Sequence, residues 1–307
     1  MKSKKIVVVG SSNTDLVIQV PHLPAPGETI LGGKFVTAPG GKGANQAVGA
    51  ARAGGKVTFI ARVGNDSFGE QALAGFKREK LDVSQVTRDA KSPSGVALIF
   101  VSAKGENSIA VADSANGRLA PPHVSPAVIA SAGIVITQLE TPLATVAATV
   151  KLAHAKGVPV ILNPAPAQKL SDKVLSQVTY LTPNETECAI LTGIKPEAGQ
   201  KSCDRAADAL LAKGVQTVIL TLGSAGAYVA AKGVRALVPA FKVKPVDTTA
   251  AGDIFNGALA VALLEGKPLL DAVRFANAAA ALSVTKLGAQ SSAPTRAQIE
   301  GFLKRSR

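Results

Sequence analysis

The run Ala250-Ala251-Gly252-Asp253 sets a carboxylate directly behind small residues, at the start of a long apolar-periodic segment. A helix opening there leaves its first backbone N–H groups unpaired and partly positive, so they can hold an anion. The same turn offers a proton acceptor. These are the parts of a phosphoryl-transfer site: Asp253 would take the proton of an attacking hydroxyl, and the amides of Ala250, Ala251 and Gly252 would stabilise charge spreading over the transferred group. A simple helix-opening carboxylate, stabilised by the dipole, fits the spacing equally well.

Other segments could supply the substrates. Gly10-Ser11-Ser12-Asn13-Thr14-Asp15 follows an apolar run but lacks the second and third glycines of a dinucleotide fingerprint. In extended backbone Asn13 and Asp15 point the same way, and an amide beside a carboxylate suits sugar hydroxyls; an Asx turn is the alternative. Gly40-Gly41-Lys42-Gly43-Ala44-Asn45 lacks Walker spacing. Its glycines let backbone approach a ligand, and Lys42 and Asn45 fall within one helical turn, fit to grip a polyol or an anion. Glu140 ends the apolar run from Ile134, where a parallel sheet lines its crevice. Asn184 and Glu187 are three apart, the spacing of a helix cap or of a pair facing a nucleotide's phosphates, Glu187 reaching magnesium through water. Thr221, Leu222, Gly223, Ser224, Ala225 and Gly226 follow another apolar run and read as a close nucleotide approach or a tight turn.

Strand-length apolar runs at Ile6–Val9, Val57–Arg62, Ile134–Gln138, Val158–Leu162 and Val215–Leu220 must position these groups. They alternate with helix-length segments such as Ala44–Ala53, Phe68–Lys80, Leu143–Lys156 and Arg205–Lys213. Such alternation predicts a mostly parallel central sheet with helices on both faces, a three-layer α/β/α fold. Two late helices are expected at Asp253–Leu264 and Leu269–Lys286, with Gly266 and Pro268 between them. Residues 16–37 and 95–111 break the rhythm and read as antiparallel strands of a small β-sheet lid inserted in one domain spanning 1–307.

Composition bounds the classes. The 307 residues, 47% hydrophobic, suffice for a large core. Lys and Arg number 34 against 21 Asp and Glu, a net charge of +13, yet they are scattered and aromatics are only 4%. That speaks against nucleic acid and leaves steering of anionic small molecules. The ends MKSKK and LKRSR read as solvated. No apolar run reaches the ~18 residues of a membrane span. Cys188 and Cys203 form neither a disulfide framework nor a metal spacing, which suits the cytoplasm.

GSSNTD, GGKGANQA, NPAPA, TPNETE, TLGSAG, DTTAAGDIFNGA and KLGAQSS occur in order along nearly the whole chain. Together they resemble the phosphofructokinase-B-like sugar kinases, and within them the ribokinase group. The resemblance implies transfer of phosphate from ATP to the 5-hydroxyl of ribose, with deoxyribose or another sugar or nucleoside as the alternative acceptor. A non-catalytic sugar or nucleotide sensor is a more distant reading. It makes Asn13, Asp15, Gly41, Lys42, Asn45 and Glu140 the sugar-binding set and Asp253 the base. Asn184, Glu187, the 221–226 segment, Gly252 and Asn277 become ATP contacts. Magnesium would act with ATP. Asp247, Thr249, Ser283, Lys286, Gly288 and Ser292 would surround potassium, mostly through carbonyl oxygens. The lid would cover ribose and pair two subunits.

Overall fold

The computed structural model describes residues 5–31, 33–197 and 199–306. The first four residues and Arg307, parts of the basic ends read above as solvated, lie outside them. The strands are β1 (Lys5–Val9), β2 (Asn13–Val20), β3 (Lys34–Gly40), β4 (Val57–Gly64), β5 (Asp82–Asp89), β6 (Gly95–Ser102), β7 (Asn107–Ala112), β8 (Ala132–Thr137), β9 (Val160–Leu162), β10 (Tyr180–Leu181), β11 (Thr217–Thr221), β12 (Ala227–Ala231) and β13 (Val234–Val238). Nine of them form one sheet in the order β13-β12-β11-β10-β9-β8-β1-β4-β5. From β11 to β5 every pairing is parallel; β12 and β13 add an antiparallel edge.

The central strand shows why the molecule is layered. All four apolar residues of β1 after Lys5 are buried, and they alternate: Ile6 and Val8 join one core, Val7 and Val9 the other. A strand buried on both faces reads as a continuous β-branched run, as Ile6–Val9 does. One core takes the helices Lys42–Arg52, Ala251–Leu264 and Leu269–Ser283; the other takes Leu143–Ala155 and Gln200–Leu211.

Two helices of the first core matter most. A Cβ on Gly257 would lie 2.6 Å from the Ala50 nitrogen and the Gln46 carbonyl, so the Ala251–Leu264 helix meets the Lys42–Arg52 helix almost backbone to backbone. Gly49 faces Ile254 across the same seam. Close approach of this kind sets Lys42, Asn45 and Gln46 beside Asp253.

The expected lid is a second sheet, in the order β3-β2-β6-β7. Its two regions do pair, but its central pair, β2 with β6, is parallel, whereas the alternation suggested antiparallel strands throughout. Alternation reports which face is buried and carries nothing about direction. Strands β5, β12 and β13 were not read from the sequence, and the last long helix stops at Ser283, not Lys286.

Candidate active site

The Ala251–Leu264 helix opens two residues before Asp253, after Ala250 in a left-handed conformation (φ 60°, ψ 12°). A non-glycine residue there costs about 1–2 kcal/mol, a strain met where backbone is aimed for function. Asp253 is buried, 5% exposed, and does not face bulk water. Its Oδ2 accepts from Asn45 Nδ2 at 3.0 Å and its Oδ1 from Gln46 Nε2 at 2.9 Å. Burial pushes its carboxyl up, while Lys42 and the two amides oppose that rise and Glu140 adds to it.

A cavity of about 170 Å³ holds Asp253 together with Lys42, Ala250, Ala251, Gly252, Asn184 and Glu187. Burial works to lower the Lys42 ammonium, but Asp253, Glu140 and Glu187 outweigh it and hold the ammonium above its ordinary value. Gly252 is distinctive. A Cβ there would touch nothing within 4 Å, so neither packing nor backbone geometry requires a glycine.

The opposite holds for the glycines of the Lys42 segment. A Cβ would meet the Asp15 carboxylate at Gly40, the Asn13 nitrogen at Gly41 (φ 87°) and the Ser11 nitrogen at Gly43, all at 2.7 Å or less. What these glycines approach is the turn from β1 into β2, not the open space of a ligand as their spacing suggested. Glu140 closes the same joint: its Oε2 accepts from Ser11 Oγ at 2.6 Å and from the Lys42 amide at 2.9 Å. It therefore caps the Lys42 helix while lining a second cavity of about 380 Å³ with Asn13. Asn13 Oδ1 accepts from Asn116 Nδ2 at 2.7 Å. Asp15, on the same face of β2, has its carboxyl raised to about 6, first by burial and then by Glu140 and Asp253. Of the proposed sugar set, Asn13 and Glu140 line the larger cavity and Lys42 the smaller one, the Lys42 amide bonding to Glu140 between them; Asp15, Gly41 and Asn45 line neither.

Asn184 and Glu187 make the helix cap that their spacing allowed. They form a reciprocal capping box, with Glu187 Oε2 accepting from the Asn184 amide at 2.9 Å and Asn184 Oδ1 from the Glu187 amide at 2.8 Å. Both also line the smaller cavity. Burial raises the Glu187 carboxyl against the Asn184 amide and Lys42. Of the 221–226 segment, Thr221 lines the cavity, and Gly223 and Ser224 lie exposed. Leu222 belongs to the core, Ala225 packs against it, and a Cβ on Gly226 would strike the Val238 carbonyl. Asn277 is placed away from the cavity, its Nδ2 donating to the carbonyls of Val238 and Pro239.

Among the described residues no group of three His, Cys, Asp or Glu converges as a metal cluster. The residues suggested for potassium do draw two loops together: Asp247 Oδ1 accepts from the Thr249 amide and Oδ2 from the Gly288 amide. Burial works to raise the Asp247 carboxyl, but these bonds hold it below its ordinary value. Ser283 and Ser292 are buried, each hydroxyl donating to a carbonyl three residues back. Lys286 donates its amide to the Ser283 carbonyl. Apart from the Lys286 ammonium, the side chains and carbonyls here offer oxygen, a donor type that fits a hard cation.

Four polar residues around Asp253 escaped the sequence reading. Gln46 directly follows Asn45, Asn256 lies one turn past Gly252, Thr182 and Asn163 each follow a strand, and all four are buried. Their signal was weak because a polar residue in an apolar helix becomes conspicuous only once its burial is known.

A family model described as pfkB family carbohydrate kinase matches residues 3–296. A ribokinase from Haemophilus influenzae is 47% identical, over 98% of this chain and 99% of that protein. Ribokinase from Thermotoga maritima superposes with a TM-score of 0.90 at 39% identity, covering 98% of this chain and 99% of its own. For Arabidopsis thaliana ribokinase complexed with ribose and ATP the TM-score is 0.92 at 34% identity, with the same coverage.

Proposed function

The chain belongs to the pfkB family of carbohydrate kinases, and we propose that it works through Asp253 as the base that activates the 5-hydroxyl of ribose. The reaction is phosphorylation of ribose by ATP. The observation that carries the site assignment is the unexplained space at Gly252, next to a buried carboxylate and a half-buried lysine. Ribose would occupy the larger cavity, which Asn13 and Glu140 line, and reach toward Asp15, Gly41, Lys42 and Asn45 on the side of the smaller one. The smaller cavity would take the transferred group, with the amides of Ala250 and Gly252, and that of Ala251 on leaving its long 3.3 Å bond to the Thr248 carbonyl, facing charge that develops on its oxygens. Lys42 would neutralise part of that charge from the other side. Asn184, Glu187, Thr221, Gly223 and Ser224 would form the nucleotide side, with Leu222, Ala225, Gly226 and Asn277 holding that turn from behind, and Glu187 would hold magnesium through water. Magnesium, when bound with ATP, supplies charge neutralisation to the phosphates.

Three further parts rest on lesser support. A potassium ion among Asp247, Thr249, Ser283, Lys286, Gly288 and Ser292 would stiffen the loop leading into Ala250. Two copies would pair through the small sheet, which exposes Phe35, Leu98, Ile109 and Val111. Cys188 and Cys203 are both free and buried, which suits a cytoplasmic protein; among the described residues no helix is long and apolar enough to cross a membrane.

Asp253→Asn tests the reading. It should leave ribose affinity, measured by calorimetry, within a few-fold, and lower turnover by roughly 10²–10⁴-fold in an assay of ADP release. Retained turnover refutes the base. The same assay with deoxyribose measures how much discrimination the pocket gains from the 2-hydroxyl.

A further inference from the structure

The acid at position 253 does not stand alone. Gln46, in the first turn and a half of the Lys42–Arg52 helix, is fully buried, and each side of its amide is used. Its Nε2 donates to Asp253 Oδ1 at 2.9 Å and to Asn163 Oδ1 at 3.0 Å, and its Oε1 accepts from Gln138 Nε2 at 2.6 Å. A carboxylate accepts only, so Asp253 fixes which way the Gln46 amide faces, and that in turn obliges Gln138 to donate.

The chain of bonds continues in one direction. Asn163 Nδ2 donates to the Thr182 carbonyl at 3.3 Å, and Thr182 Oγ1 donates to Asn256 Oδ1 at 2.8 Å. Asn256 Nδ2 donates to the Gly252 carbonyl at 2.8 Å. That carbonyl shares its peptide plane with the Asp253 amide. The relay therefore leaves the carboxylate of Asp253 and returns to its own backbone, passing through the ends of β9 and β10.

We propose that Gln46 is a positioning residue for Asp253, heading a buried relay through Asn163, Thr182 and Asn256 that locks the carboxylate and the adjoining peptide into one rigid unit. The inference rests on Asp253 being the base. Its physical content is twofold. Asp253 is held at a fixed angle to the amides behind it, so proton acceptor and anion-binding groups need no rearrangement during the reaction. Gln46 also favours the ionised carboxylate, because its N–H donates to the charged form and would lose that bond on protonation.

Gln46→Met keeps length and volume and removes both donors. The expected result is an acidic limb of the kcat/KM profile moved upward by roughly one pH unit or more, with the KM for ATP unchanged. Asn256→Leu cuts the relay at its far end, away from the carboxylate. It should lower kcat by roughly tenfold, leaving the acidic limb in place and the KM for ribose within about twofold. A general loosening of the fold would not separate the two variants in this way. An unmoved acidic limb in folded Gln46→Met overturns the proposal, as does a wild-type kcat in Asn256→Leu. Should Gln46→Met fail to fold, Gln46→Leu removes the same donors to Asp253 with a different shape, and an unmoved acidic limb there is the refuting result. Asp253→Asn separates the two readings: if it retains turnover the base assignment fails, and if it alone is inactive while both relay variants match wild type, only the relay fails.

Discussion

Replacing Gly252 by alanine sets stability against catalysis at a single methyl group. Gly252 is the second residue of the Ala251–Leu264 helix, and a Cβ there meets no atom within 4 Å. Glycine in a helix is less favourable than alanine by up to about 1 kcal/mol, less at the first turn, so Gly252→Ala should stabilise the fold by roughly 0.5–1 kcal/mol. For a chain of this size that raises the melting temperature by roughly 1–3 °C. The methyl group would enter the cavity that Gly252 lines with Asp253 and Lys42, the proposed position of the transferred phosphoryl group. Displacing that group by about 1 Å, or denying it one amide, costs about 10²-fold or more in kcat. Ribose affinity should change little, because the proposed sugar position is in the larger cavity, which Gly252 does not line. Calorimetric melting, ribose titration and ADP release on one preparation test all three. An alanine variant that turns over at the wild-type rate would show that no reacting group passes through this space. A variant that melts lower would show a structural reason for the glycine.

Two other outcomes follow from the geometry. Asp15 has its carboxyl held at about 6 against 3.8 in the free side chain, so between those values the folded chain binds a proton that the unfolded chain has lost, and stability falls as pH rises through that window. Asp15→Asn should therefore add up to about 3 kcal/mol near pH 8 and almost nothing near pH 3.5, while weakening ribose binding; equal gains at the two pH values in denaturant titrations would contradict this origin. Phe35→Asp places a charge on the exposed face of the small sheet, where Phe35 is 62% exposed, and should convert a dimer to a monomer in sedimentation velocity with little change in melting temperature. A dimer that survives it would place the interface elsewhere.

The central sheet was legible because its strands are buried on both faces. Ile6–Val9 has no polar interruption and Val57–Ala61 only the buried Thr58, and glycine or alanine-rich helices separate such runs. β5, with the sequence DVSQVTRD, escaped because it lies at the sheet edge, where a strand tolerates polar residues. β13 sits at the opposite edge and alternates partly buried with exposed positions. Site residues on helix mouths and strand ends were legible for a related reason: Asn13, Lys42, Asn45, Asn184 and Asp253 each stand where an apolar segment stops or starts. The buried supports behind them were not. Nothing local distinguishes Gln46 or Asn256 from a solvated residue until two helices nearly touch at Gly257. Asn116, which pins Ser12 and Asn13 from 104 and 103 positions away, likewise depends wholly on tertiary contact.

The glycines show how function can be separated from architecture in this chain. Gly41, Gly43, Gly226 and Gly257 each have a backbone atom within 2.7 Å of where a side chain would begin, and packing alone accounts for them. Gly252 has none. Its neighbours depart from local preference in the same place: Ala250 adopts a left-handed backbone that glycine would tolerate better, and Asp253 keeps a carboxylate out of water. The Asp15 carboxyl is raised by burial and by Glu140 and Asp253. Each departure lowers stability, none improves a packing contact, and all converge on the space between Lys42 and the opening of one helix. Folding has no use for that combination. A reaction that must receive a proton and spread negative charge at one point does.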